Sequence, residues 1–501
     1  MIITNKISMK YIVNYLYILF ILVSTTSCFA QDLDKGTYQV GFKYYKTYDE
    51  SRQYILNDDT ISRPLLVHFW YPSNENIQTD SYFFKNYIDL ISLREDFNKP
   101  ASEVEENSRN FINAYAGFAK QHLGIDTSLT TQQILDCPVA AQFGVDLAIS
   151  KEKFPLIIYA PSNSKSAVQN HLICEYLASH GYMVIAVASA GENSINRSND
   201  EKSIMAQVKD MEFILDYFED SLKIKYAGLG LMGFSSGGLA TAIFQMRNKK
   251  VKAVFSMDGS QEYGAYITLS KVEDFNLKKT KIPYCLLVNN FENFSIYPYF
   301  NSIVSKEKQL FRMSYLDHNG FVSFWRFFDL CSAKNSDSKF CTSYDYISST
   351  ALIFFNDNLK PRDFSKNKSE LIFQNNEYIQ SITPDNSTIA QLCNLILSDD
   401  IDKGMDFINS NQEAFIKKEN EISILSKLLR DPYPDAAIQL LLFNVKAHPH
   451  SWQAFFELGF TYKLNEELSL AKENLLKALQ LNPENTEIIK LLNEINEFEK
   501  K

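Results

Sequence analysis

The sequence predicts a mostly parallel, helix-flanked α/β sheet followed by a smaller all-α unit at the C-terminus. Three observations carry the prediction. Seven short β-branched and aromatic runs recur at residues 65–71, 155–160, 182–187, 227–232, 251–257, 284–288 and 311–316. Helical stretches separate most of them, at 167–180, 203–218 and 238–247. Beyond residue 388 the runs stop and the apolar spacing turns helical. Near-continuous apolar runs suit strands buried on both faces, and their alternation with helices is the pattern of βαβ units. Composition agrees: 45% hydrophobic and 22% charged residues are globular proportions, and 17 glycines with 14 prolines leave little room for long flexible linkers. A net charge of −10 without a basic run argues against a nucleic-acid partner.

The first element is a targeting segment. Lys6 and Lys10 precede an apolar stretch at 11–23, and small residues follow up to Ala30. Such a stretch is too short to span a bilayer comfortably. Residues 1–30 therefore read as a signal peptide cleaved after Ala30, with export to the periplasm or beyond. Two other readings stay open: an uncleaved anchor, and a lipoprotein acylated at Cys28, for which Ser27-Cys28 fits and Thr25 does not. A membrane partner is expected only if Cys28 is lipidated. Of the remaining cysteines, Cys174 and Cys285 lie in apolar stretches and read as core residues. Cys331 and Cys341 flank the polar segment 332–340, a loop that a bridge would close. No CxxC or His/Cys cluster suggests a metal, and no cofactor is expected.

Residues 31–364 form the sheet domain. Residues 38–42 read as an opening edge strand. Residues from about 79 to 150 interrupt the alternation with amphipathic helices carrying Tyr87, Leu90, Phe111 and Tyr115. An insert of this size is either a lid over a pocket or an outer packing layer.

The chemistry-bearing motif comes next. Gly233-Phe234-Ser235-Ser236-Gly237 matches G-x-S-x-G, directly after one strand run and directly before a helix. That context is what a nucleophile elbow requires, because a sharp strand-to-helix turn presents the Ser235 hydroxyl above the sheet edge. A serine hydroxyl is a weak nucleophile and needs a base. Of seven histidines, His318 alone follows a late strand run and precedes Asn319-Gly320, which puts it on the same rim as Ser235. The acid that orients the imidazole is Asp258, which ends the run 251–257 before Gly259, or alternatively Glu292, after the next run.

These pieces resemble the platelet-activating factor acetylhydrolase-like and dienelactone hydrolase-like α/β hydrolases. The resemblance covers roughly residues 35–362. It rests on Gly41-Phe42 followed by Asp49 and Arg52, on Phe69-Trp70-Tyr71-Pro72, on Leu177 to Tyr182, and on the elbow, Asp258-Gly259 and His318. It implies an α/β hydrolase fold and a serine esterase that cleaves carboxylic, acyl or acetyl esters through Ser235, His318 and Asp258. It also implies an oxyanion hole. The family usually carries a His-Gly pair after the strand that ends here at Ala160, where this chain reads Pro161-Ser162-Asn163. By position Asn163 N–H would be one donor and Ser236 N–H the other. A missing donor costs about 10²–10³ in rate. A non-catalytic interaction protein with a degenerate site therefore stands as an alternative, as does a peptidase or amidase.

After a polar linker at 365–387, residues 388–501 read as a helical domain. Phe455, Leu458, Gly459, Tyr462, Ala471, Leu475, Ala478 and Pro483 match a tetratricopeptide repeat. Pro449 lies 34 residues before Pro483, so a degenerate repeat is expected to precede it. Fewer than three repeats seldom bury a core of their own. The unit is expected to dock on the sheet domain, to dimerise, or to bind a protein partner.

Overall fold

The computed structural model describes residues 35–75, 82–122, 129–163, 165–198, 200–263, 265–290, 297–332, 338–360, 377–383, 388–397, 401–430 and 433–498. The expected signal peptide and Cys28 lie outside them.

Ten described strands form one sheet, in the order β10 (Ile379–Ser381), β9 (Lys308–Met313), β8 (Tyr284–Val288), β7 (Val251–Met257), β6 (Leu229–Phe234), β4 (Leu156–Ala160), β5 (Met183–Ala186), β2 (Asp59–Ser73), β1 (Gln39–Leu56), β3 (Ala141–Phe143). β1 (Gln39–Leu56) and β2 (Asp59–Ser73) make a long antiparallel hairpin. Asn57 and Asp58 close it with φ of 51° and 70°, the paired left-handed conformation a two-residue hairpin turn demands. β2 lies antiparallel to β5 (Met183–Ala186). From β5, the strands β4 (Leu156–Ala160), β6 (Leu229–Phe234), β7 (Val251–Met257), β8 (Tyr284–Val288) and β9 (Lys308–Met313) all run parallel. β3 (Ala141–Phe143) and β10 (Ile379–Ser381) cap the two edges. This is the α/β hydrolase fold the sequence predicts, with a helical C-terminal unit. β4 sits between β5 and β6, so the chain order reverses there. The crevice beyond the carboxyl ends of strands at such a reversal is where open α/β sheets bind ligands.

The buried strands behave as their composition predicts. Every residue of β4, β5, β6 and β8 is buried. β1 differs from expectation. It runs on to Leu56 instead of ending near residue 42, and β3 covers it, so it is not the edge. Beyond Phe42 most of its side chains are half-buried or exposed, with only Asp49 and Tyr54 buried, and that mixed half masks a strand in sequence.

The insert is an outer layer. Phe84 is fully buried among the rings of His171, Phe324 and Phe327. Trp70 Nε1 donates to the Tyr87 hydroxyl at 2.7 Å, and Tyr87 donates on to Glu175 at 2.8 Å. A disulfide between Cys137 and Cys331 ties the insert to the helix Ser323–Cys331. This corrects the expected Cys331–Cys341 bridge. Cys341 is a buried free thiol on the following helix Lys339–Leu359, and Cys174 and Cys285 are buried free thiols too. Nearness along the chain misled because the true partner arrives from 194 residues away.

The helical unit packs in two parts. Leu392, Ile396, Ile408, Phe415, Leu425 and Leu440 join the same buried cluster as Tyr299, Phe300 and Ile303 of the sheet domain. The Lys271 ammonium lies 5.5 Å from the centre of the Tyr433 ring across that contact. The helices Trp452–Leu464, Leu468–Leu481 and Thr486–Phe498 bury a second cluster around Leu458, Leu475 and Ile488, to which Ile438 and Leu441 of the preceding helix Pro434–Ala447 contribute. A Cβ at Gly459 would sit 2.8 Å from Leu475 Cγ, so glycine sets how closely the first two of these approach. Within the expected linker, Ile379–Ser381 is strand β10. No helix among the described residues is long and apolar enough to cross a membrane.

Two predictions follow from this packing. Peptide mapping without reductant should recover Cys137 linked to Cys331 and Cys341 as a thiol. Replacing both bridged cysteines by serine should cost about 2–5 kcal/mol of stability. A recovered 331–341 link would contradict the structure.

The second concerns pH. Burial pushes the carboxyl of Glu175 up to about 7 and that of Glu262 up to about 8. The folded chain then holds protons that the unfolded chain has released, so stability falls as pH rises through that range. Burial pushes His68 down to about 4 and His171 down to about 3, which opposes this below pH 6.5. Stability should decline between pH 6.5 and about 8, by roughly 1–3 kcal/mol. Calorimetry at the two pH values checks this. The decline should shrink in Glu262→Gln, and an unchanged decline in that variant would contradict the assignment.

Candidate active site

The site is built at the ends of β6, β7 and β9. β6 ends at Phe234, and Ser235 follows with φ of 52°. The left-handed region is costly for a side-chain-bearing residue, so the surroundings must hold it there. They do so by close approach. A Cβ at Gly237 would lie 2.0 Å from the Ala160 carbonyl oxygen, and one at Gly233 would lie 2.9 Å from the Gly237 carbonyl oxygen. Both glycines of the motif are therefore required, one to meet the end of β4 and one to let the turn fold on itself. The Ser235 N–H donates to Met257 O at 3.1 Å, and its carbonyl accepts from Ser260 N at 2.9 Å. The helix Gly237–Arg247 starts immediately, with Ser236 at its N-cap.

Asp258 follows β7 with φ of 45° and is fully buried. Its carboxylate is held from several sides. Oδ1 accepts from the Tyr263 hydroxyl at 2.7 Å and from Asn289 N at 3.1 Å, and Oδ2 accepts from Asn289 Nδ2 at 2.9 Å. His318 opens the short helical turn His318–Phe321 after β9, and Asp317 caps that turn by accepting from Gly320 N. His318 Nδ1 lies 2.6 Å from Asp258 Oδ2, and Nε2 lies 3.0 Å from Ser235 Oγ. The Phe234 ring stacks on the imidazole with centroids 5.2 Å apart. Three residues spread over more than eighty positions thus form one continuous hydroxyl–imidazole–carboxylate chain.

Such a chain can move a proton from hydroxyl to Nε2 while the carboxylate holds Nδ1–H and stabilises the imidazolium. The Ser235 Oγ is also 3.5 Å from Ser260 Oγ. The alternative acid Glu292 lies outside the described residues. Asp317, next to the histidine in sequence, caps its own turn. His68 and His171 are fully buried in the core.

Ser236 and Asn163 stand at the ends of neighbouring strands. β4 pairs with β6 so that Ala160 is opposite Gly233, which brings the 161–163 loop beside the elbow. A cavity of about 110 Å³ opens against His318 and Phe234, walled by Tyr115, Tyr159, Ser166 and Trp325. Tyr115 comes from the insert and stacks on Trp325 at 5.2 Å. The insert is therefore both a packing layer and one wall of the cleft. Tyr263 and Asn289, which grip Asp258, escape sequence reading. Asn289 follows β8 directly, and that rim position was the available signal.

No protein-family model and no curated protein matches the chain. Among solved structures it is similar to a ferulic acid esterase from Streptomyces cinnamoneus, at 15% identity and a TM-score of 0.49, over 71% of this chain and 98% of that one.

Proposed function

We propose that this chain is an exported serine hydrolase that cleaves carboxylic esters through an acyl-enzyme intermediate. The observation that carries the proposal is the unbroken contact from Ser235 Oγ through His318 to Asp258, at 3.0 and 2.6 Å. Ser235 Oγ attacks the ester carbonyl carbon while His318 Nε2 takes its proton. The backbone N–H groups of Ser236 and Asn163 receive the negative oxygen. The C–O bond to the alcohol then breaks, and His318 returns the proton to the departing alkoxide. Water, deprotonated by the same nitrogen, attacks the acyl carbon and releases the acid and Ser235. Asp258 keeps Nδ1–H in place throughout. The substrate is a small ester whose acyl or alcohol part enters the cleft beside Tyr115 and Trp325. Export is supported by the charged and apolar N-terminal pattern and by the Cys137–Cys331 bridge, since disulfides persist in oxidising compartments. In this reading the helices from residue 388 onward form a tetratricopeptide-like unit, docked at its start on the sheet domain, whose far end is left for a protein partner.

Ser235→Ala should lower the turnover of short acyl esters by about 10⁴ or more and leave the melting temperature unchanged. Hydrolysis of 4-nitrophenyl acetate by the purified protein checks this. Full activity in that variant would refute the assignment.

A further inference from the structure

Between β5 and the helix Glu201–Asp216 the chain makes a loop that the mechanism above does not use. The loop is firmly anchored. Arg63 of β2 donates through Nη1 to the carbonyls of Gly191 and Glu192 at 2.8 and 2.9 Å. Its Nε and Nη2 fork onto the buried Asp210 carboxylate, each at 2.6 Å. A Cβ at Gly191 would lie 2.2 Å from the Asn196 carbonyl oxygen, so the turn closes tightly on itself. Held in this way, the loop carries Arg197 inward, where it is 8% exposed.

Arg197 reaches the elbow. Its Nη1 lies 2.7 Å from Ser189 Oγ, 2.6 Å from Gln207 Oε1 and 3.1 Å from Ser236 Oγ. Its backbone carbonyl accepts from Asn163 Nδ2 at 3.4 Å. Gln207 completes the arrangement by donating from Nε2 to the Pro161 carbonyl at 2.9 Å. One arginine thus touches both residues named as oxyanion donors, and its glutamine partner holds the loop that carries one of them. Burial lowers the guanidinium only to about 10, so it stays charged at neutral pH. The 161–163 segment lacks glycine. Its donor must be aimed by its neighbours, and the planar guanidinium, acting through Nη1 on Ser236 and on Gln207, which in turn holds Pro161, is rigid enough to do that.

Resting on the ester-hydrolase reading, we propose that Arg197 is a positioning residue. It locks Ser236 and the 161–163 loop so that their backbone N–H groups meet the oxyanion of the tetrahedral intermediate. Donors aimed at that oxygen act on the transition state and not on bound ester.

The experiment compares wild type with Arg197→Met, Arg197→Lys, Ser236→Ala and the Arg197→Lys/Ser236→Ala double variant. The substrate is 4-nitrophenyl acetate, rates are taken per active site by titration, and an alkyl boronic acid serves as a tetrahedral mimic. Arg197→Met should lower kcat by about 10- to 100-fold with KM within about threefold, and should weaken the boronate by the same factor as kcat/KM. Arg197→Lys should recover part of the loss. A residue that only supports the fold would lower the titratable fraction and leave kcat per site and boronate affinity alone, which would overturn the proposal. Should Arg197→Met fail to fold, Arg197→Lys and Ser236→Ala decide. Each should lose activity several-fold and the double variant little more, because the two share one contact, whereas fully additive losses would overturn the proposal. A wild type that is active, with Arg197 variants equally fast, sinks this proposal alone. A wild type that hydrolyses no ester and cannot be titrated sinks the hydrolase reading and this inference with it.

Discussion

A missing side chain governs the architecture of the site. At Gly237 there is no space for a β-carbon, because the Ala160 carbonyl oxygen occupies the position where one would go. That contact pins the start of the elbow helix to the end of β4. It forces the strand leaving β6 to turn within one residue, and that residue, Ser235, takes a left-handed backbone. The hydroxyl is thereby lifted off the sheet towards His318. The same contact sets the 161–163 loop beside Ser236. The proposed nucleophile and the proposed oxyanion donors are thus positioned by one close approach of backbone to backbone.

Around this core the protein spends buried charge on fixing loops. Asp258 is gripped by Tyr263 and Asn289, so its one remaining direction faces the imidazole. Asp210 receives Arg63 and also Arg52, which lies 2.8 Å away. Breaking such a buried pair from one side is expensive, since the other charge is left uncompensated. The expense keeps the loop after β5 in one place and Arg197 with it. The disulfide serves a similar end on the other side of the cleft, where it fastens the insert that supplies Tyr115.

Much of this was legible in the sequence, and the reasons differ by element. The strands β4, β5, β6 and β8 announce themselves because both of their faces are buried, so the apolar run is unbroken, whereas β9 mixes exposed and buried residues and starts at Lys308, three positions before the run read at 311–316. Ser235 is legible because the glycine requirement on either side is local. Asp258 and His318 follow from rim positions at strand ends. The second half of β1 was hidden because its outer face is wetted and its residues are mixed. The disulfide partner was hidden because two cysteines ten positions apart look closer than two that the fold brings together from afar. Arg197 and Gln207 carry no signal at all in one dimension. Their meaning arises only when a loop after β5, a helix and the elbow converge.

The most direct test is the chemical identity of the residue that becomes acylated or phosphonylated. Treating the intact protein with a fluorophosphonate and sequencing the modified peptide by mass spectrometry answers it in one step. A single adduct on Ser235 is expected, lost when His318 is replaced by alanine. An adduct on Ser260 or another hydroxyl, or an unlabelled protein that still hydrolyses esters, would contradict it.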